Sequence, residues 1–375
     1  MKFVFHTLCI SPHRLPLARE LVGRLSAADY RYLYDEDLEG YRANLGWGED
    51  SQSWILKVSD NPQKCRDMML DAEIFYSSVR DLDIFEKRAR EGKKTFYTSE
   101  RWFKPLAVHL LPRVAFSLPG WFRLFHPSYF RMARRIARLI GSDAPFYYLG
   151  MGVWAKRDMQ LVCKLFRIPE QKFVDKFRMW GYYVEPSMLT GHALPAEKPE
   201  GVVRLLWVGR LLGLKRVDDI VRAVRAHNRL KRADDSLPKI TLDIYGSGVE
   251  EPNLRRMVAK SCLDDLIKLH PPVSIDEVRQ LMRMHDVYVL SSDAYEGWGA
   301  VVNEALEEGM HVVGTYEAGA SATILPQDDL YHAGDWSALA EKLERLCREK
   351  KAGALSGQGI GQWSAANAAK RILSW

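Results

Sequence analysis

The sequence predicts an α/β protein of two domains, each a parallel sheet wrapped in helices. Three observations carry that prediction. The chain has 375 residues, more than one ordinary core serves. Short apolar runs alternate with helical patterns along most of its length, and such alternation implies parallel sheets joined by right-handed crossovers. A Pro- and Gly-rich stretch near 181–200, GYYVEPSMLTGHALPAEKPEG, marks a domain boundary.

The elements follow in order. KFVFHTL (2–8) predicts a buried strand and LARELVGRL (17–25) its helix. AEIFYSS (72–78) is a strand, LDIFEKRARE (82–91) a helix, KTFYTS (94–99) a strand. PFYYLG (145–150) and KFRMWGYY (176–183) read as further strands. In the second half VVRLLWVGR (202–210) is a strand ending on Gly209, and VDDIVRAVRAHNRL (217–230) an amphipathic helix. KITLDIYGSG (239–248) is a strand with a glycine turn, followed by a helix near NLRRMVAKSC. LIKLHPP (266–272) is a strand, and SIDEVRQLMRMH a helix capped by Ser274. VYVLSS (287–292) is a strand, Val301–Glu308 a helix stopped by Gly309, HVVGT (311–315) the next strand. A helix capped by Asp335 follows, and WSAANAAKRILSW at the end reads as another.

Composition is 47% hydrophobic and 27% charged, that of a globular rather than a disordered chain. No window of about 18 uncharged apolar residues exists, so no bilayer span is expected, and the first residues hold too short an apolar run for a secretion signal. The five cysteines are scattered without C-x-x-C, which speaks against a metal site or disulfide framework and fits a reducing cytoplasm. The net charge of +6 is lopsided: residues 1–195 hold 30 Lys/Arg against 22 Asp/Glu, the remainder 24 against 26. The first half therefore expects an anionic partner or surface.

Ligands of open parallel sheets bind outside the carboxyl ends of the strands, and the informative residues of the second half fall there. In YEGWGAVVNEALEEGM (295–310), Gly297 and Gly299 let the backbone approach a ligand and the next helix offers its positive end, a setting for phosphate. Glu296 can accept hydrogen bonds from sugar hydroxyls, and Glu304, further along the helix, from a second polyol such as ribose. Arg210 and Lys215, in GRLLGLKR, supply a fork and a point charge for a diphosphate. Each feature alone is commonplace; their order is not.

That order resembles the nucleotide-binding half of a retaining GT-B glycosyltransferase, closest to glycosyltransferase family 4 (glycosyl transferases group 1). The pattern is carried by LLWVGRLLGLKR, LDIYGSG, VYVLSSDAYEGWGAVVNEALEEGMHVVGT and AGASATI, over about residues 200–345. The resemblance implies two Rossmann-like domains facing across a cleft: an acceptor domain (1–185), a nucleotide-sugar domain (186–355) and a C-terminal helix (356–375) packing back on the first. It implies that Arg210 and Lys215 hold the diphosphate, that Glu296 touches the donor sugar and that Glu304 takes the ribose hydroxyls. Gly246 and the amides of Gly297, Trp298, Gly299 and Ala300 lie near the donor, and Val273 meets the base. Charge on the leaving diphosphate would fall to Arg210, Lys215 and the helix start, with no metal and no cofactor beyond the UDP- or GDP-sugar co-substrate. Three departures stand out: Trp298 where the family has Phe or Tyr, expected to keep a stacking role; Arg216 where Gly commonly follows the Lys; and Met310-His311 where a small residue is common.

The first half resembles the family only in layout. Its first loop, CISPHRLPLA, lacks the family's Gly-Gly, leaving His13 or Arg14 to meet phosphate with a side chain. In TFYTSERWFK, Glu100 could receive the acceptor proton, and with Arg101 it could equally pair with neighbours. His109 and Asp158 are further acceptor-side candidates, Asp158 also reading as a helix cap. Between Glu100 and Asp143 there is no acid, but eight basic residues. From Tyr129 the apolar positions are helical, with Arg131, Arg134, Arg135 and Arg138 on the remaining arc and Trp102, Phe103, Trp121, Phe122 and Phe125 upstream. Such a segment (101–140) suits an anionic membrane surface, or packs on the sheet with its arginines in water; nucleic acid is not expected.

The expectation is thus a retaining glycosyltransferase moving a sugar to a glycan or lipid-linked acceptor in cell-envelope polysaccharide synthesis, cytoplasmic or peripheral at the inner membrane face. An epimerase or phosphorylase on the same fold, or a non-catalytic sugar- or membrane-binding relative, are the alternatives.

Overall fold

The computed structural model describes residues 1–37, 52–104, 120–184, 201–231 and 237–375. Residues 1–104, 120–184 and 362–375 form one compact unit, and 201–361 a second.

The first unit is built on seven strands: β1 (Phe3–Thr7), β2 (Tyr30–Tyr34), β3 (Ile55–Lys57), β4 (Ile74–Ser77), β5 (Lys94–Ser99), β6 (Phe146–Met151) and β7 (Phe177–Trp180). All pair in parallel, in the order β3-β2-β1-β4-β5-β6-β7. The second carries β8 (Val202–Val208), β9 (Lys239–Tyr245), β10 (Ile267–His270), β11 (Val287–Leu290), β12 (His311–Thr315) and β13 (Leu330–Tyr331), also parallel, in the order β10-β9-β8-β11-β12-β13. Renumbered within its unit, each sheet follows the doubly wound Rossmann order 3-2-1-4-5-6, the first adding β7 at its edge; the direction of winding reverses beside the first strand. Both sheets are thus of the Rossmann-like parallel kind that the sequence predicts.

The runs expected as strands become strands because both faces are covered. In β8 and β9, Val203, Leu205, Trp207, Ile240, Leu242 and Ile244 enter one core with Ile220, Val224 and Leu343 from flanking helices, as parallel sheets require. Helix boundaries follow their caps. Ser274 and Glu277 form a reciprocal capping box at the start of Ile275–Met284, and the Asp335 carboxylate accepts the Ala338 N–H at 3.0 Å before Trp336–Lys351. In the first unit, one sheet face carries the helix Pro127–Gly141. The other carries Leu15–Leu25 and the last helix, Ala365–Ser374, whose Ala365, Ala368, Ala369 and Ile372 lie against Phe3, Phe5 and Trp180.

Several elements were not anticipated: β2, β3, β13 and the helices Pro62–Asp71, Gly152–Leu165, Glu170–Lys176 and Gly319–Ile324. Strand β2 (YRYLY) holds no aliphatic run, yet three of its five residues are buried. Tyr30 and Tyr32 pack against Phe3, Phe5 and Trp54, a tertiary gain that local pattern does not display.

Candidate functional site

In the second unit the strand order reverses between β8 and β11. The loops leaving these neighbours carry Arg210 to Lys215 and Ser291 to Ala300. They are laced together: the Ser291 hydroxyl donates to the Lys215 carbonyl at 2.6 Å, and the Asp293 N–H to the Leu214 carbonyl at 2.8 Å. The Lys215 ammonium then forms an ion pair with the Glu296 carboxylate, their side chains 20% and 16% exposed. The Ser292 hydroxyl donates to the same carboxylate at 2.9 Å. Two residues 81 positions apart are thereby joined at the place where this fold binds ligands.

Glu304 sits half-buried in the first turn of the helix Val301–Glu307. Beneath lies the buried phenol of Tyr288, whose hydroxyl donates to the Val208 carbonyl at 3.2 Å. Burial pushes that phenol's pKa up, and the charges of Glu304 and Glu296 add to the rise. Both carboxylates thus act on the same buried phenol. Tyr288 was not singled out from sequence, and the serines 291 and 292 entered it only as part of the motif VYVLSSDAYEGWG.

The glycines have separate duties. Gly299 takes φ +86 in the bend before the helix, a region that favours glycine. Gly246 allows two backbones to touch: a Cβ there would lie 1.9 Å from the Gly209 carbonyl oxygen. Its role is thus to seat the β9 loop against the β8 loop, where the Leu211 N–H donates to the Ser247 carbonyl at 2.8 Å. Arg216 occupies a left-handed turn (φ +46, ψ +42), where a glycine would be unstrained. A two-pronged contact to buried Asp219, at 2.7 and 3.2 Å, anchors it. Arg210 is exposed at the β8 end, and Val273 half-exposed in the turn after β10.

Trp298 corrects an expectation. Its side chain is 1% exposed, with the indole N–H donated to the Asn303 side-chain oxygen at 2.8 Å. It cannot stack on a ligand. The indole is a wedge under the bend, and the carbonyls of Gly297 and Trp298 accept the N–H groups of Gly319 and Ala320 at 3.1 and 2.8 Å. The start of Gly319–Ile324, from the AGASATI segment, thus fixes the bend's shape.

In the first unit the candidates gather around a residue that sequence reasoning passed over. Tyr182 lies in the coil after β7, within the stretch read as a boundary. The Arg14 guanidinium lies 5.2 Å from its ring centroid, the His13 ring 5.8 Å away, and its hydroxyl donates to the Glu100 carboxylate at 3.3 Å. Glu100 also has Lys104 at 3.9 Å. Arg101 turns aside: it donates to the Phe103 carbonyl at 3.3 Å and lies over Trp154.

Asp158 is not a cap. It lies inside the helix Gly152–Leu165, and its carboxylate accepts the backbone N–H groups of Trp102 and Phe103 at 2.7 and 2.8 Å. It fixes the loop that presents Glu100. Burial pushes its pKa up, against the pull of those two bonds and of Arg101. His109 falls outside the described residues, with all of 105–119.

The basic segment is divided. Trp102 and Phe103, expected among the surface aromatics, are buried in the core, and Arg135 is drawn from the solvent arc into ion pairs with Asp83 and Glu86 at 2.6 Å each. Arg131, Arg134 and Arg138 remain exposed or half-exposed, as do Trp121, Phe130 and Phe125, the last 79% exposed. No helix among the described residues is long and apolar enough to cross a membrane.

Residues 195–356 match the model of the family "Glycosyl transferases group 1". A D-inositol 3-phosphate glycosyltransferase of Pseudarthrobacter chlorophenolicus is 36% identical over 148 residues, 38% of this chain and 34% of that protein. The chain thus covers about a third of that relative's length. Over the whole chain the fold is that of the lipopolysaccharide outer core galactosyltransferase WaaB (TM-score 0.63, 14% identity, covering 100% of this chain and 98% of that one). It is likewise that of Anabaena HepE in complex with UDP (TM-score 0.59, 15% identity, 100% and 95% covered).

Proposed function

We propose that the protein is a retaining glycosyltransferase, moving a sugar from a nucleotide-diphosphate sugar to a hydroxyl of a glycan or lipid-linked acceptor in cell-envelope polysaccharide synthesis. One observation carries the reading: Lys215 and Glu296 meet at the switch point of the second sheet, beside a glycine bend and the helix whose first turn carries Glu304. A diphosphate entering there meets the Lys215 ammonium, which would exchange Glu296 for phosphate oxygens as the leaving group gathers charge. Arg210, exposed at the same strand end, adds a second cation. Glu296, released from Lys215, then accepts sugar hydroxyls, and Glu304 those of ribose. The cations come from side chains, so we infer that no metal takes part. UDP is the first donor nucleotide to try, because HepE carries it.

We further infer that the first unit binds the acceptor, with Glu100 as the carboxylate that receives the acceptor proton, and that it rests on an anionic membrane face through Trp121, Phe125, Phe130, Arg131, Arg134 and Arg138. Aromatic rings beside arginines fit headgroups and acyl boundary together. Sedimentation with phosphatidylglycerol vesicles should be lost on replacing the three arginines with Glu, and retention by that variant refutes the contact.

A thermal-shift screen against UDP, GDP, ADP and their sugars tests the donor site, since a ligand stabilises the fold it binds. Stabilisation by one nucleotide, lost in Lys215→Met, is expected; no shift with any overturns the reading. Incubation with the donor sugar alone should leave the sugar's configuration unchanged, whereas an epimerase would alter it.

A further inference from the structure

Two arginines in the first unit show contrasting solutions to a guanidinium placed away from water. Arg88 is fully buried, and protein atoms satisfy it. Its Nε donates to the Thr95 hydroxyl at 3.0 Å, and its two terminal nitrogens to the carbonyls of Met69, Leu70, Ala72 and Lys94 at 2.7 to 3.1 Å. This is a guanidinium used as a structural clamp, and no ligand is needed.

Arg14 is different. It is half-buried at the carboxyl edge of the first sheet, in the loop after β1, where the strand order reverses between β1 and β4. Its polar partners are the phenols of Tyr182 and Tyr76, with Tyr32 close by. Those phenols are already engaged. The Tyr76 oxygen also accepts the Trp180 indole N–H at 3.2 Å, and the Tyr32 oxygen the Thr7 hydroxyl at 3.0 Å. Among the described residues no carboxylate pairs with Arg14. A guanidinium offers five N–H donors in a plane, and placing its charge away from water is costly without a counter-charge. Aromatic rings lower that cost by their faces but supply no anion. Backbone amides do not make this site: the Arg14 and Leu15 N–H groups both donate to the Ser11 carbonyl, and the His13 N–H to the Ser11 hydroxyl. The Glu100 carboxylate accepts that same Tyr182 hydroxyl, at 3.3 Å. One phenol hydroxyl thus stands between a cation that no carboxylate among the described residues pairs with directly and a carboxylate that accepts a hydroxyl.

We propose that the first unit holds an oxyanion site on Arg14, and that the acceptor is a sugar or polyol phosphomonoester whose phosphate meets Arg14 while a hydroxyl faces Glu100. The word acceptor rests on the transferase reading above; the anion site does not. Arg14 holds the phosphate with its planar fork, which a lysine reproduces only in charge. The neighbouring His13 ring lines the same place.

Calorimetric titration of the full chain with glycerol 3-phosphate, glycerol and inorganic phosphate tests this in the wild type, Arg14→Met, Arg14→Lys and Lys215→Met. Glycerol 3-phosphate should bind the wild type and Lys215→Met, and glycerol neither. Arg14→Met should weaken the ester at least about tenfold, and Arg14→Lys several-fold, as loss of a charge-assisted fork requires. Should Arg14→Met fail to fold by circular dichroism, Arg14→Lys alone decides. Ester binding unchanged by either Arg14 substitution, or abolished by Lys215→Met instead, overturns the site. Inorganic phosphate binding more tightly than the ester overturns the acceptor assignment. A parallel UDP titration of the wild type reads the transferase hypothesis separately: its failure would leave the Arg14 dependence of the ester intact.

Discussion

The two units share one strand order and finish it with opposite chemistry. At the carboxyl edge of the second sheet, a lysine and a glutamate from loops 81 residues apart form an ion pair with a serine hydroxyl on the same carboxylate. At the corresponding edge of the first, an arginine is caged by phenols, one of which donates its hydroxyl to Glu100. The doubly wound topology dictates where each crevice lies and is silent about its contents. The Lys215–Glu296 pair is a cation and an acid held at rest by each other, ready to be parted by a diphosphate and a sugar. Among the described residues no carboxylate pairs with Arg14, so an arriving oxyanion parts no ion pair there.

The sharpest way to break this contrast is Lys215→Met. A hydrogen bond to a charged group contributes about 1.5–3 kcal/mol, or roughly 10- to 150-fold in affinity. UDP binding, measured by calorimetry, should weaken within that range. Unchanged affinity would mean that Lys215 serves Glu296 alone and that the second edge has no claim on phosphate.

The second edge could be read from sequence because its signals are local. GRLLGLKR and YEGWG each place glycine and charge a few residues apart, and the fold sets their Lys215 and Glu296 against each other. The first edge was nearly illegible, since Arg14, Tyr76, Glu100 and Tyr182 come from four loops or strands and no short pattern joins them. Trp298 shows a third kind of failure. The residue type predicts an aromatic face for a ligand, whereas packing against Asn303 and the Gly319 helix makes it a wedge. Aromatic residues serve both ends, and only burial separates them.

A smaller effect is expected at the loop that presents Glu100. Asp158→Ala would leave the Trp102 and Phe103 N–H groups without their acceptor, and an unsatisfied buried group costs about 1–3 kcal/mol. Urea unfolding should show the first unit losing about 2 kcal/mol, part of the penalty being relieved by water or relaxation. Asp158→Asn keeps an oxygen on both donors and should change stability by less than about 1 kcal/mol. Equal losses in the two variants would show that the charge matters, contrary to the geometry. Smaller again is Glu304→Gln. One hydroxyl contact contributes about 1 kcal/mol, so UDP should weaken several-fold while inorganic diphosphate, lacking ribose, binds as before. A loss shared by both probes would move Glu304 from the sugar to the phosphates.

The slightest expected effect concerns acid, and it belongs to the second unit. Asp243, on β9, takes the His270 Nε2 at 2.7 Å and the His285 Nε2 at 3.1 Å. Burial would raise its pKa, but the hydrogen bonds and charges of His285 and His270 outweigh burial and hold it below the ordinary value. A carboxyl whose folded pKa lies below its unfolded value of about 3.9 stabilises the fold above that value, and the benefit drains away as pH falls through the folded pKa. The wild type should therefore lose stability more steeply than Asp243→Asn from about pH 5 downward, with parallel curves at neutral pH. The carboxylate is partly exposed, so solvent screens the pair and the difference in slope should be modest. The side-chain amide that Asp243→Asn introduces cannot titrate. Identical slopes in chemical denaturation at pH 3 and pH 6 would therefore mean that the two imidazoles pack beside Asp243 without favouring its charge.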